Sequence, residues 1–400
     1  MKKLLEINVS ANTGSTGRIA EEIGRLAVDN GFDCYLAYGR VNNQSHLNTI
    51  RVGKNLDFGI HALQSRLLDN HGFASKHATR KFIQQLAQIK PDIIHLHNIH
   101  GYYINVEYLF KYLKNAGIPV VWTLHDCWPI TGHCAHFEYI NCAKWETGCF
   151  ACPNIKGYPK SIIIDKSRSN FERKRELFTS VGNMRIVTPS EWLKDIINES
   201  FLKEYPTNVI NNGVDLNIFK QYGNKTVLKK YKIDGGKKII LGVANVWNQR
   251  KGLNDFLQLS SMLNDDCLIV LVGLSEKQIH DMPSNIIGLR RTENVRELAQ
   301  LYSSAAVFVN PTYVDNFPTT NIEALACGTP VVTYRTGGSP EAVDQNTGYV
   351  VEKSNIDMLG SAIKKTLSKD TAEIERACRQ RAVRLYNKNE RFMDYINLYN

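Results

Sequence analysis

An apolar strand followed by an amphipathic helix recurs along this chain, and the recurrence restarts partway through; nothing else in the sequence narrows the fold so far. LLEINVS reads as a first strand, and STGRIAEEIGRLAVDNG as a helix with Ile19, Ile23 and Leu26 on one stripe and Gly31 as its stop. FDCYLAYG, PDIIHLHN, IPVVWTLHD, MRIVTPS and TNVINNG continue as strands, and NVEYLFKYLKNAG as an intervening helix. The pattern begins again at KKIILGVANV, with a helix around LNDFLQLSSMLN and strands at CLIVLVG, AAVFVNP and TPVVTY. Such alternation predicts parallel sheets covered by helices on both faces. A length of 400 residues exceeds one ordinary core, so two consecutive doubly wound α/β units are expected. The stretch 214–238, rich in Lys, Asn and Gly, is the expected hinge.

Composition closes off several classes. Hydrophobic residues at 43% and charged residues at 22% are those of a globular protein, not a disordered or fibrous one. No run approaches the ~18 apolar residues of a membrane helix. In MKKLLEINVS the apolar run is broken by Glu6 and Asn8, so it reads as a strand rather than a signal peptide, and cytoplasm is the expected compartment. A formal charge of +10 suits nucleic acid, an anionic membrane face or a phosphorylated small molecule, but the basic residues are spread over both halves and form no nucleic-acid-binding tail. One local cluster stands out: Lys156, Lys160, Lys166, Arg168, Arg173, Lys174, Arg175 and Arg185 face only Asp165, Glu172 and Glu176. It is either a solvated helix face or a surface for anionic lipid or a lipid-pyrophosphate acceptor.

In open parallel sheets ligands sit beyond the carboxyl ends of the strands, and four turns there carry chemistry. In ANTGSTGRI, Gly14 and Gly17 allow close backbone approach, and the helix start ahead of Arg18 offers N–H groups to an anion; a plain tight turn is the alternative. HLHNIHGYY places His95, His97, Asn98 and His100 at a strand end, for hydrogen bonding to a polar ligand or for structure. TLHDCWP ends a strand with His125 and Asp126, an imidazole that a carboxylate can orient. The fourth is YVDNFPTTNIEALACGTPVV, where Asp315 and Glu323 stand eight apart. Pro318 suits the first position of a helix that Asp315 or Asn316 can cap, and Glu323 shares a face with Thr319. The two acids are a proton-transferring pair, a grip on ligand hydroxyls, or a cap and a surface residue.

YVDNFPTTNIEALACGTPVV resembles the E-x7-E region of the retaining GT-B glycosyltransferases of family 4, the group 1 type. VINNGVDLNIF, LYSSAAVFVNPT, GTPVVTYRTGGSPEAV and TGYVV resemble the family's other segments in register, so the likeness runs along nearly the whole chain. GSTGRIAEEIG, HNIHGYYIN, HDCWPITGHC and TPSEWL are similar more narrowly to bacterial capsular and colanic-acid-type polysaccharide glycosyltransferases.

The resemblance implies a GT-B fold, two Rossmann-like domains facing a central cleft. Residues 1–212 would form the acceptor-side domain, with 384–400 crossing back to it on the aromatic stripe Tyr386, Phe392, Tyr395 and Tyr399, and 213–383 the donor-binding domain. Glu323 would hold the ribose hydroxyls of a UDP- or GDP-sugar. Asp315 would bond the transferred sugar, with Asn316 and backbone around Phe317, Pro318 and Thr319 lining the site. Lys251 stands at the family's Lys position; the usual Arg position is Val246, with Arg250 as its substitute. His125 would contact the sugar, Gly14, Gly17 and Arg18 the diphosphate or acceptor, and His97, Asn98, His100 and Asp126 the acceptor, a glycan or undecaprenyl-linked saccharide. The resemblance implies retention of anomeric configuration, and with cations on the leaving diphosphate no catalytic metal is expected. The product would be a bacterial surface polysaccharide such as capsule or O-antigen, made in the cytoplasm or at the inner membrane face. Rival readings are a sugar-nucleotide epimerase or hydrolase and a non-catalytic nucleotide-sugar-binding subunit.

Cysteine usage is a separate matter. CAHFEYINCAKWETGCFACP spaces Cys134, Cys142, Cys149 and Cys152 with one tight C-x2-C. Structural zinc, reduced cysteines packing a small insert, and redox chemistry all remain open, with His133 and His136 as alternative ligands.

Overall fold

The computed structural model describes residues 1–224 and 226–400, and these fall into two compact units, 1–211 with 392–400 and 212–391. The first holds seven strands: β1 (Lys3–Asn8), β2 (Asp33–Tyr38), β3 (Asn48–Arg51), β4 (Ile93–Leu96), β5 (Val120–Thr123), β6 (Met184–Thr188) and β7 (Thr207–Val209), in the order β3-β2-β1-β4-β5-β6-β7. The second holds six: β8 (Lys238–Val243), β9 (Cys267–Val272), β10 (Ile286–Leu289), β11 (Val307–Asn310), β12 (Val331–Tyr334) and β13 (Gly348–Val351), in the order β10-β9-β8-β11-β12-β13. Neighbouring strands pair in parallel, from Leu4 opposite Ile93 to Val332 opposite Tyr349.

Covered on both faces, the central strands need no polar alternation. Every residue of β9 is buried, which is why CLIVLV is an unbroken apolar run. Both sheets reverse strand order beside their first strand, between β1 and β4 and between β8 and β11. The crevice at such a reversal is where open α/β sheets take ligands. The fold thereby singles out the turns after β1, β4, β8 and β11.

Two expectations change in the structure. The stretch expected as a hinge is packed into the second unit: Val214, Phe219, Val227, Leu228 and Ile233 are buried in its core, and Val214 exchanges backbone hydrogen bonds with Tyr386 and Lys388. Lys225, within that stretch, lies outside the described residues. The segment returning to the first unit begins at Phe392 rather than at 384. Phe392, Tyr395, Ile396 and Tyr399 complete the first unit's core beside Leu4, Ile23 and Phe32, whereas Tyr386 packs on Phe317 in the second.

The basic cluster is not one solvated face. Lys174 is buried, donates to the carbonyls of Trp128 and Thr131 at 2.8 and 3.0 Å and sits over the Trp128 ring. Arg173 bonds Glu107 and covers the Phe73 ring. Among the described residues no helix is long and apolar enough to cross a membrane.

Candidate active site

In the second unit the turn after β8 is built to hold a lysine in place. Asn248 caps a single 3-10 turn, Gln249–Lys251, its side chain accepting from the Lys251 N–H at 3.1 Å. Gly252 follows with φ +78°, and a Cβ there would stand 2.3 Å from the Pro311 carbonyl oxygen, so only glycine lets this turn lie against the chain leaving β11. The Tyr313 N–H donates to the Arg250 carbonyl at 2.9 Å, and the Trp247 indole to the Val272 carbonyl at 2.8 Å. The loops after β8, β9 and β11 are thus fastened together.

These contacts bring Lys251 Nζ to 2.5 Å from Asp315 Oδ2, each side chain about a quarter exposed, at 23% and 24%. Asp315 caps no helix. The helix after β11 spans Thr319–Ala326, its N-cap position is Pro318, and no side chain caps it. Its start is fixed from below by a buried polar network: Asn310 donates to Asn321, Asn321 to the Ser339 hydroxyl at 2.9 Å, and Thr333 bonds both the Ser339 hydroxyl and the Asn310 carbonyl. Glu323, half-buried one turn in, accepts from the buried Tyr302 hydroxyl at 3.1 Å. Phe317 and Pro318 are buried and present backbone rather than side chain, while Asn316 and Thr319 are half-exposed beside Asp315. Arg250 is half-buried in the same turn as Lys251; Val246, at the usual Arg position, is 63% exposed.

In the first unit Gly14 opens the helix Gly14–Asp29 at φ +68° and is exposed, as is Arg18. A Cβ on Gly17 would meet the Ser10 hydroxyl at 2.9 Å, so this glycine serves close packing against the end of β1. The histidines pair otherwise than expected. His125 Nε2 faces His97 Nδ1 at 3.1 Å with the rings stacked, and Asp126 instead bonds His100 at 2.8 Å and the Trp128 N–H. Burial would raise the Asp126 carboxyl, but His100 and the Trp128 amide hold it down to about 2. Burial pushes His125 down to about 4, so its imidazole is neutral at physiological pH.

His97 is only 1% exposed, which overturns its expected direct contact with an acceptor; it reaches the surface through His125. Behind it lies Glu6, fully buried and pushed well above the carboxylate range by that burial, its Oε1 3.6 Å from both His97 Nε2 and His95 Nδ1. His95 is held by the Thr123 and Tyr399 hydroxyls. Asn98 is half-buried, its N–H on Asn8 and its carbonyl taken by Tyr103. Of the acceptor candidates, His97 is buried behind His125, Asn98 is engaged by Asn8 and Tyr103, and His100 and Asp126 are locked to each other. Sequence reasoning missed Glu6, Tyr302, Asn310, Asn321, Thr333 and Ser339, which position the site from behind.

Two sets of groups bear on metals. Among the described residues, the ligand atoms that gather within 4.8 Å of one another belong to Glu6, His95 and His97, and both His95 nitrogens are already hydrogen-bonded. All nine cysteines are free thiols. Cys134, Cys142, Cys149 and Cys152 line one small cavity, but no three of their sulfurs approach that closely.

Residues 16–218, half of the chain, match Glycosyltransferase Family 4, and residues 224–384 match Glycosyl transferases group 1. An Escherichia coli (strain K12) protein provisionally named as the colanic acid biosynthesis glycosyl transferase WcaC is 23% identical, with 99% of each chain covered. Sucrose-phosphate synthase from Thermosynechococcus elongatus superposes with a TM-score of 0.73 at 17% identity, covering 100% of this chain and 98% of that one. Anabaena HepE, solved with UDP, does so with 0.71 at 15% identity, covering 100% and 99%. These likenesses establish the GT-B fold. By its sequence match and its fold, the chain belongs to glycosyltransferase family 4 and is a glycosyltransferase, of enzyme class EC 2.4.

Proposed function

We propose that this enzyme is a retaining glycosyltransferase moving a sugar from a UDP- or GDP-sugar to a glycan or undecaprenyl-linked saccharide in bacterial surface polysaccharide synthesis. The observation that carries this reading is the Lys251 and Asp315 pair at the β8/β11 reversal. Support for the donor class comes from HepE, which has been solved with UDP and with UDP-glucose. Support for the polysaccharide comes from the full-length likeness to WcaC.

Departure of a sugar from a nucleoside diphosphate builds negative charge on the leaving oxygens. Lys251, Arg250 and the N–H groups opening the helix Thr319–Ala326 answer that charge, and fixed cations in a partly desolvated site do so without reorganising. Asp315 holds Lys251 before the donor arrives and then accepts from the sugar's hydroxyls. Glu323 accepts from the ribose hydroxyls while Tyr302 fixes its carboxylate. His125, with Nε2 engaged by His97, offers Nδ1 to a sugar hydroxyl. With the acceptor attacking on the leaving-group face, its proton passes to the departing phosphate oxygen, and Asp315 and Glu323 remain ligands rather than acid and base. These steps need no catalytic metal. For adhesion to anionic lipid, Ile162, Ile163 and Ile164 are 60%, 71% and 36% exposed beside the exposed Lys156, Lys160 and Arg168.

The test is a screen of UDP-, GDP- and dTDP-sugars with chelator present, with and without lipid-linked saccharide. Nucleoside diphosphate should appear only when acceptor is added, and proton NMR of the product should show the donor's anomeric configuration. Release without acceptor would mean a hydrolase or epimerase, and an inverted product would remove the front-face route.

A further inference from the structure

The segment 134–152 has little to hold it. Its regular structure is a 3-10 turn, Phe137–Ile140, and one helical turn, Lys144–Thr147, and its buried apolar anchors among the aromatic residues are Phe137 and Trp145, stacked 5.2 Å apart. Small loop-rich segments of this kind usually depend on a covalent or metal staple. Here four free cysteines surround one cavity of about 10 Å³, with His133 in the same wall.

Polar groups close around the sulfurs of that cavity. The Cys134 and Cys152 thiols hydrogen-bond each other, the Gly132 N–H donates to Cys149, and the Asn154 N–H donates to Cys152. The Gly132 contact requires glycine, since a Cβ would lie 1.9 Å from the Ser167 carbonyl and 2.8 Å from Cys149 Cβ. The C-x2-C loop is pinned on both sides: Lys144 donates to the Phe150 and Ala151 carbonyls at 2.9 and 3.0 Å, and the Cys152 N–H donates to Asp165 at 2.6 Å. His133 is 2% exposed, its Nδ1 held by Asp69 and its Nε2 without a hydrogen-bond partner. An imidazole whose other nitrogen is fixed by a carboxylate is the usual setting of a metal-binding histidine.

We propose that Cys134, Cys142, Cys149 and Cys152 close on a structural zinc ion. Zinc with Zn–S bonds of about 2.3 Å sets tetrahedral sulfurs about 3.8 Å apart, and Cys134 and Cys152 already touch. Binding draws Cys142 and Cys149 toward that pair. Soft sulfur ligands select zinc over the hard cations. The ion fastens an insert that begins a few residues after His125, and it takes no part in glycosyl transfer.

The test is metal content of the purified full-length enzyme after a wash with a weak chelator, expected near one zinc per chain. Cobalt substitution should give the intense visible bands of a tetrahedral thiolate site. Stripping zinc with a strong chelator should speed maleimide labelling of four thiols several-fold, and added zinc should restore their protection. This labelling uses the unmodified chain, so misfolding of a Cys149→Ser variant would not void the result. Zinc-free enzyme with equally fast thiols in both states would overturn the proposal. So would zinc that survives Cys134→Ser and Cys149→Ser but is lost in Glu6→Gln, which would place the ion among Glu6, His95 and His97.

Discussion

Replacing Lys251 by alanine separates what this side chain does for the fold from what it does for the reaction. In the structure its ammonium makes one ion pair, 2.5 Å from Asp315, with both partners about a quarter exposed. Pairs this open to solvent contribute about 0–1 kcal/mol, so the melting temperature should fall by no more than a few degrees. Against the charge of a departing diphosphate the same ammonium acts where water is excluded, and losing one such fixed donor costs about 100- to 1,000-fold in kcat. The charge grows only as the bond breaks, so affinity for the intact donor should weaken by less than about tenfold. Initial rates of nucleoside diphosphate release give kcat and KM, calorimetry gives donor affinity, and a thermal melt gives stability. A kcat within twofold of the parent, or a loss confined to donor affinity, would refute the assignment. A fall of more than ten degrees in the melt would mean that the pair is chiefly structural.

Glu323→Gln should weaken nucleoside diphosphate binding by about 10- to 100-fold, the worth of a charge-assisted hydrogen bond, while Tyr302 still donates to the amide oxygen and the melt hardly moves; isothermal titration checks this. Gly252→Ala forces a side chain into φ +78° and onto the Pro311 carbonyl, and should cost about 2 kcal/mol or more in denaturant unfolding while also lowering kcat. Gly223→Ala, where nothing stands within 4 Å of the new Cβ, should change neither. Acid should unfold the first unit. Burial holds His61 and His95 down to about 3 and His125 to about 4, and His71 and His97 lie well below their ordinary range. Between about pH 6.5 and 4 the unfolded chain takes up protons that the native one refuses, so stability falls as pH falls through that window, by about 1.4 kcal/mol per unit for each group. Glu6, raised by burial, acts with the opposite sign, one group against five. A melting temperature that stays level from pH 7 to 4.5 would contradict the buried-histidine arrangement.

Sequence revealed what is local and periodic. Lys251 and Asp315 lie in the turns after strands that apolar runs announce, Glu323 lies in the helix that follows, and their spacing carries the family's pattern. What it hid depends on which residues meet across the fold. β3 is an exposed edge strand, NTIR, with no apolar pattern to read, and β10 and β13 are short edge strands of the second sheet. Alternation put His95 and His97 on one face but could not say that the face was inward. Asp126 follows His125 directly, yet backbone direction after β5 turns the carboxylate to His100 and leaves the imidazole to His97. Glu6 read as a polar interruption of a strand, and only the neighbours supplied by β4 and by residues 392–400 bury it and push its carboxyl above the usual range. Asp315 was open to a capping role because helix starts drift by a residue or two, and here the helix begins three residues too late for that role.

The return of residues 392–400 to the first core has a consequence for how the chain is made. Tyr395 packs tilted against His95, and Tyr399 bonds it, so a segment made after the whole second unit finishes a core whose first strand was made before that unit. The second unit is continuous, and it can fold as soon as it clears the ribosome. The first must wait, its β1 and β4 faces open, until residues 392–400 have been made. Its nascent form therefore exposes apolar surface for the whole time that the second unit is being made, and loss of residues 392–400 leaves a finished second unit tethered to an unfinished first one.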